Sequence, residues 1–185
     1  MIPTTSNELL REALTHVDAL YNHARRLTLN AADADELVQE TYTRAVAGAQ
    51  TFTGGNLKAW LFRILRNSFV DAHRRNRQQP ALVELDIMDG AADPALVRDD
   101  LGVDGLRRLV AEDIDAALAT LSPEARTIVL LDHEGFTETE VAEVIGCALG
   151  TVKSRLSRAR VLLRERLKDY APSIPRRGNN RSGDK

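Results

Sequence analysis

The chain has 185 residues, 43% of them hydrophobic and 28% charged, enough for one medium domain or two small ones of ordinary globular type. A single cysteine, Cys147, excludes an internal disulfide framework, and no apolar run approaches the roughly 20 residues that span a bilayer. A net charge of −2 argues against a nucleic-acid binder until the charge is located along the chain, where it proves to be segregated. The N-terminus lacks the basic-then-apolar pattern of a signal peptide, so a cytoplasmic location without membrane insertion is expected. Apolar residues are mostly Leu, Val and Ala at helical spacing, with no sustained alternation of β-branched residues. The expected fold is all-α, with two small helical domains joined by a linker.

In the first unit, residues 7–77, the spacing predicts three helices. Leu10, Leu14, Val17, Leu20, Tyr21, Ala24 and Leu27 mark the buried stripe of the first. Asp33 is a suitable cap for the second, which runs to about Ala49 with Leu37, Val38, Thr41 and Ala45 facing inward. Glu36, Glu40 and Thr43 then share the outer face, with Gln39 beside them. Carboxylates and an amide on a helix can receive arginines of a protein partner, although by pattern alone a solvated surface explains this face better. Asn56 caps the third helix, whose apolar face is Leu57, Trp60, Leu61, Ile64, Leu65 and Phe69, while Arg63, Asn67, Arg74 and Arg77 lie along another. An aromatic helix edged with arginine suits single-stranded nucleic acid, because bases stack on rings while guanidinium groups hold phosphates. For Trp60 and Phe69 an ordinary core is the favoured reading, whereas Phe62, off the main stripe, is divided between the two uses.

Residues 78–107 read as a flexible linker. Between 81 and 104 seven acids, Glu84, Asp86, Asp89, Asp93, Asp99, Asp100 and Asp104, face the lone Arg98, among Gly90, Pro94 and Gly102. Residues 108–170 form the second unit. In it, Thr137 with Glu140 makes a capping box that opens a short helix bearing Val141, Ala142, Val144 and Ile145, and Gly146 ends it. A further helix starts near Leu149, with Val152, Leu156, Ala159 and Leu163 inward. That arrangement is a helix-turn-helix. From Lys153 to Lys168 seven basic residues, including Arg155, Arg158, Arg160, Arg164 and Arg166, meet one acid, Glu165, a balance suited to phosphates. The last residues, 171–185, have the composition of a disordered tail.

DADELVQETYTRA, NLKAWLFRILRNSFVDAHRR and LSPEARTIVLLDHEGFTETEVAEVIGCALGTVKSRLSRAR, in that order and split by a polar linker, resemble the extracytoplasmic-function (ECF) class of bacterial sigma factors. The resemblance covers roughly residues 20–77 and 112–168. It implies that the first unit is sigma region two, which binds the clamp helices of core RNA polymerase and opens the minus-ten element. The second would be region four, which binds the minus-thirty-five element and the β-flap. Carried over by position, Glu36, Gln39 and Glu40 match the polymerase-binding face. The loop holding Phe52, Gly54, Gly55, Asn56 and Lys58, with Arg63, Asn67 and Arg74 on the following helix, matches the minus-ten contact. There an unstacked base would need a pocket of hydrogen-bonding groups, for which backbone donors of the Gly-Gly loop and Asn67 are suited. Thr151, Lys153, Ser154, Arg155, Arg158 and Arg160 match the minus-thirty-five contact. An anti-sigma factor is implied as a further partner. Asp35-Glu36 stands where the class usually has Glu-Asp, and Ala148 where Pro or Ser often precedes the recognition helix, at some cost in capping.

No catalytic residue, cofactor or metal site is expected. Asp132, His133 and Glu134 are neighbours that point in different directions and are expected at the surface. His16, His23 and His73 are isolated, and Cys147 alone gives no zinc-ligand spacing. A helix-turn-helix regulator acting on duplex DNA without polymerase is the alternative; it accounts for 137–168 but not for residues 60–77 or the acidic face.

Overall fold

The computed structural model describes residues 6–77 and 103–170, within which all regular structure is helical. Most of the expected linker and the whole of the expected tail lie outside these residues. The elements are α1 (Ser6–Leu14), α2 (Val17–Thr28), α3 (Ala31–Ala47), α4 (Leu57–Arg77), α5 (Val103–Ala119), α6 (Pro123–His133), α7 (Glu138–Ile145) and α8 (Leu149–Arg166). Short 3-10 turns follow α3 and α8.

Three details differ from the sequence expectation, each for a local reason. The first helix is two: Thr15 and His16 donate their backbone N–H groups to Glu12 and Ala13, and the Thr15 hydroxyl also bonds the Glu12 carbonyl, closing a turn in mid-stripe. Leu14 and Val17 consequently face solvent, while Leu9 and Ala13 are buried in their place. The cap of α3 is Asn30 rather than Asp33. Asn30 Oδ1 accepts from the Ala32 and Asp33 N–H groups at 2.8 and 3.2 Å, which leaves Asp33 in the first turn, where its charge complements the helix dipole. Finally, α5 begins at Val103, so residues 103–107 are helical rather than linker. Leu106, Leu109, Val110 and Ile114 carry helical apolar spacing back into a stretch whose acids and Gly102 had suggested a loop.

Elsewhere the pattern holds. Leu37, Val38, Thr41 and Ala45 of α3 are buried, as are Leu57, Leu61 and Leu65 of α4, and α3 packs between α2 and α4. In the second unit α6, α7 and α8 enclose Ile128, Leu131, Val141, Val152 and Leu156. Each such side chain contributes about 1.5–3 kcal/mol by leaving water.

The two units share one continuous core. The bridge is Phe62, 1% exposed, whose ring meets His23 of α2 edge-on at 5.0 Å and Phe136, in the turn before α7, at 5.2 Å. His23 is enclosed completely. Burial, followed by the nearby charges of Lys58 and Arg26, lowers its pKa from 6.5 to about 3. Between these values the unfolded chain holds a proton on His23 that the folded chain does not, so stability falls as the medium is acidified from about pH 6.5 towards 3. The slope from this group is about 1.4 kcal/mol per pH unit. Urea titrations at pH 7 and pH 5 should show the loss in the wild type and a smaller one in His23→Gln; equal slopes would exclude His23 as the source.

Candidate polymerase and promoter interfaces

The burial of Leu37, Val38, Thr41 and Ala45 fixes the rotation of α3, which leaves Glu36 and Gln39 exposed and Glu40 half-buried. Glu40 is already committed within the chain. Arg44 Nε donates to its Oε1 at 2.6 Å, and a second Arg44 nitrogen donates to Asp71 Oδ2 of α4 at 2.8 Å. These hydrogen bonds hold the Asp71 carboxyl below its ordinary range and raise Arg44. A cleft of about 730 Å³ runs from Glu36 and Glu40 past Phe69 and His73 to Pro123 and Arg126 at the start of α6.

The loop before α4 is built on two glycines. Gly54 and Gly55 have φ of 97° and 99°, a left-handed backbone that side chains resist, and this turns the chain sharply into Asn56. Asn56 Oδ1 caps α4 by accepting from the Ala59 N–H at 3.0 Å, as its sequence position suggested. Phe52 folds over Trp60 at 5.3 Å between centroids. Both rings are half-buried against the core, and Phe62 is entirely core, which settles against a stacking surface at that residue. Arg63, Asn67 and Arg74 line the exposed side of α4, where Arg66 donates to Asn67 Oδ1 at 3.0 Å.

In the second unit the capping box is complete: the Glu140 N–H donates to Thr137 Oγ1 at 3.3 Å, and the Thr137 N–H to Glu140 Oε2 at 2.9 Å. The Thr137 N–H, the Thr137 hydroxyl and the Asn56 amide, all donating to the Glu140 carboxyl, hold it below its ordinary range. Gly146, at φ 74°, closes α7, and the Cys147 N–H returns to the Ala142 carbonyl at 3.1 Å, making the short turn from which α8 starts at Leu149. Ala148 offers no side-chain cap to α8. With Val152, Leu156 and Ala159 buried, the first half of α8 exposes Lys153, Ser154 and Arg158, with Thr151 and Arg155 half-buried beside them. Lys153 lies 3.8 Å from Glu138, and Arg158 Nε donates to the Ser154 carbonyl at 3.2 Å. Arg160 is differently employed: one guanidinium nitrogen meets both Asp132 oxygens, at 2.8 and 3.0 Å, tying α8 to α6.

Several working residues left no trace in the sequence pattern. Arg126 donates to the carbonyls of Leu118, Ala119 and Leu121 at the end of α5 and, from its remaining nitrogen, to Leu27 at the end of α2. One guanidinium thus gathers carbonyls at and just beyond two helix ends, although burial lowers its pKa. Glu134, expected at the surface with Asp132, instead pairs with Lys58 across the units. Periodicity reports which face of a helix is buried; it does not report which distant helix lies opposite.

The geometry matches known proteins in both units. The family described as Sigma-70 region 2 matches residues 13–79, and that described as Sigma-70, region 4 matches residues 111–163. The chain is 38% identical over 157 residues to the ECF RNA polymerase sigma factor EcfG of Rhodopseudomonas palustris (strain TIE-1), covering 84% of this chain and 82% of the relative. It is also 38% identical over 171 residues to the ECF RNA polymerase sigma factor SigE of Mycolicibacterium smegmatis, covering 89% of this chain and 62% of that longer relative. In three dimensions it is similar to the sigma factor RpoE of Bartonella quintana, solved in complex with the anti-sigma factor NepR, with a TM-score of 0.66 at 35% identity over 85% of this chain and 95% of that one. The fold is shared with CnrH, solved with the cytosolic domain of CnrY, at a TM-score of 0.64 and 24% identity over 91% and 92% of the chains. With region 2 and region 4 matched in that order on its two helical units, the chain belongs to the sigma-70 family, within the ECF class of RNA polymerase sigma factors.

Proposed function

We propose that this chain binds core RNA polymerase through the face of α3 bearing Glu36, Gln39 and Glu40, opens the minus-ten element with the loop at 52–58 and α4, and reads the minus-thirty-five element with α8. The observation that carries the reading is α8 from Thr151 to Arg158, where Lys153, Ser154 and Arg158 are exposed, with Thr151 and Arg155 half-buried at the edges of a stripe formed by the buried Val152, Leu156 and Ala159. A helix held in this way can enter a major groove with its arginines toward base edges and phosphates. Arg160 belongs to this interface less securely than its neighbours, since Asp132 already holds it. On α3, Glu36 and Gln39 are available to arginines of the clamp helices, and Glu40 joins them by exchanging its bond to Arg44. Region four would meet the β-flap, and an anti-sigma factor is a further partner, in keeping with the NepR complex of the Bartonella relative. The working compartment is the cytoplasm, where polymerase and promoter DNA are found; no helix among the described residues is long and apolar enough to cross a membrane.

Reconstituted transcription tests the proposal. Core polymerase with the purified chain should initiate from a subset of a genomic promoter panel on which core alone is silent. A chain that binds duplex DNA without recruiting polymerase would instead be a helix-turn-helix regulator. Within the same assay the two units should separate by function. Arg155→Ala should weaken minus-thirty-five binding by about 1–3 kcal/mol and relax the preference at one base pair. Asn67→Ala should leave closed-complex binding unchanged and reduce permanganate reactivity of the minus-ten thymines; normal melting by that holoenzyme would remove Asn67 from the base pocket.

A further inference from the structure

We propose that Glu138, the first residue of α7, sets how sharply the chain distinguishes its promoter element from other duplex DNA, by withholding Lys153 from phosphates that α8 meets away from that element. The inference rests on α8 being the minus-thirty-five contact, and it concerns an acid that neither the capping box nor the basic run of α8 includes. Lys153 Nζ lies 3.8 Å from Glu138 Oε2, and the two side chains are 58% and 42% exposed, so the pair stands at the open edge of the α8 face. Its place is fixed from both helices. Val141, Val144 and Ile145 bury the inner face of α7, Val152 and Leu156 bury that of α8, and the capping box at Thr137 holds the turn on which Glu138 stands. The helix dipole favours a carboxylate at that position.

The same arrangement recurs two helical turns along α8, on the same flank, where Arg160 meets both oxygens of Asp132 from α6. Between them, Arg155 and Arg158 have no acid within ion-pair distance among the described residues. The basic surface of α8 is thereby divided: two arginines without an acid partner, flanked by two cations that acids of neighbouring helices hold aside. The division bears on specificity because DNA away from the element is bound through phosphates alone, and each one neutralised adds affinity whatever the sequence. At the element, contacts of Arg155 and Arg158 with base edges fix the register of α8, and Lys153 keeps its bond to Glu138. Elsewhere α8 lies against the backbone, where a released ammonium would add one phosphate contact. Glu138 opposes that release both by holding the ammonium and by setting its own charge against the phosphates.

The test compares the full wild-type chain with Glu138→Gln on two fluorescein-labelled duplexes. One bears the minus-thirty-five element of a promoter active in the reconstituted assay, and the other a scrambled sequence of the same composition. Because an exposed ion pair contributes little to folding, the variant should keep the wild-type melting temperature. Anisotropy across a salt series should show the variant binding the scrambled duplex about threefold to fivefold more tightly at low salt, with a slope of log K against log salt steeper by about 0.9, the increment for one further phosphate. Binding to the element should change by less than about twofold, so the preference for it falls. Glu138→Gln combined with Lys153→Gln should bind the scrambled duplex no more tightly than Lys153→Gln alone. Glu143→Gln, which removes an exposed acid from the same helix, should change neither slope nor preference. Equal gains on both duplexes by Glu138→Gln would reduce the residue to a general repulsive charge and overturn the proposal, as would an affinity and slope on the scrambled duplex equal to those of the wild type. A gain that persists without Lys153 would overturn the role of the pair. A wild-type chain with no preference for the element would instead overturn the reading of α8 as the minus-thirty-five contact.

Discussion

Phe62→Ala should lower the stability of the whole chain by about 3–5 kcal/mol, the range for removing a buried aromatic ring whose surroundings cannot collapse to fill the space. Phe62 is 1% exposed and touches both His23 and Phe136, so the cavity would open in the core shared by the two units. Its neighbours are held by other contacts: Lys58 by Glu134, and Leu61 and Leu65 by the packing of α4. A urea titration followed by circular dichroism should show one cooperative transition in the wild type and a much lower midpoint in the variant. Trp60→Ala should cost less, because Trp60 is only partly buried and leans on Phe52 at the rim. A loss below about 1 kcal/mol for Phe62→Ala would contradict a core role and return the ring to the nucleic-acid surface considered from sequence.

Glu36→Arg should reduce affinity for core polymerase by about 2–5 kcal/mol, since it sets a positive charge where arginines of the partner are expected to arrive. The structure makes Glu36 a cleaner probe than Glu40. Replacing Glu40 by Arg also removes the 2.6 Å bond from Arg44 and places a like charge one helical turn from it, which disturbs the Arg44–Asp71 tie between α3 and α4. Glu36 is exposed, so its substitution should leave the melting temperature within a degree or two of the wild type. Capture of core enzyme by Glu36→Arg at undiminished affinity would take Glu36 out of the interface. Loss of binding by Glu40→Arg alone, with lowered stability, would instead indicate a role in positioning α3.

The helical class, the inward faces of α3 and α8, the Asn56 cap, the capping box at Thr137 and the turn at Gly146 were all legible from residue order, because each depends on groups within about four residues of one another. The same locality explains the errors. A break between α1 and α2 made by two backbone bonds and one threonine hydroxyl is smaller than the periodicity that runs across it, and a choice between Asn30 and Asp33 as cap is a choice between two good acceptors three residues apart. The role of Phe62 was undecidable from its own helix, since a residue beside the main stripe is buried only if another element covers it, and the cover is Phe136, 74 positions later in the chain. Glu134 read as an ordinary surface charge, and Arg126 gave no signal at all, until α4 and α2 were brought opposite them. Sequence alone therefore determined the helices, their faces and the family to which the motifs point, because backbone hydrogen bonding and amphipathic burial act over short spans. Only the tertiary structure decided that Lys58 and Asn56 face Glu134 and Glu140, because ion pairs and hydrogen bonds between distant segments depend on how whole helices pack, which no local spacing encodes.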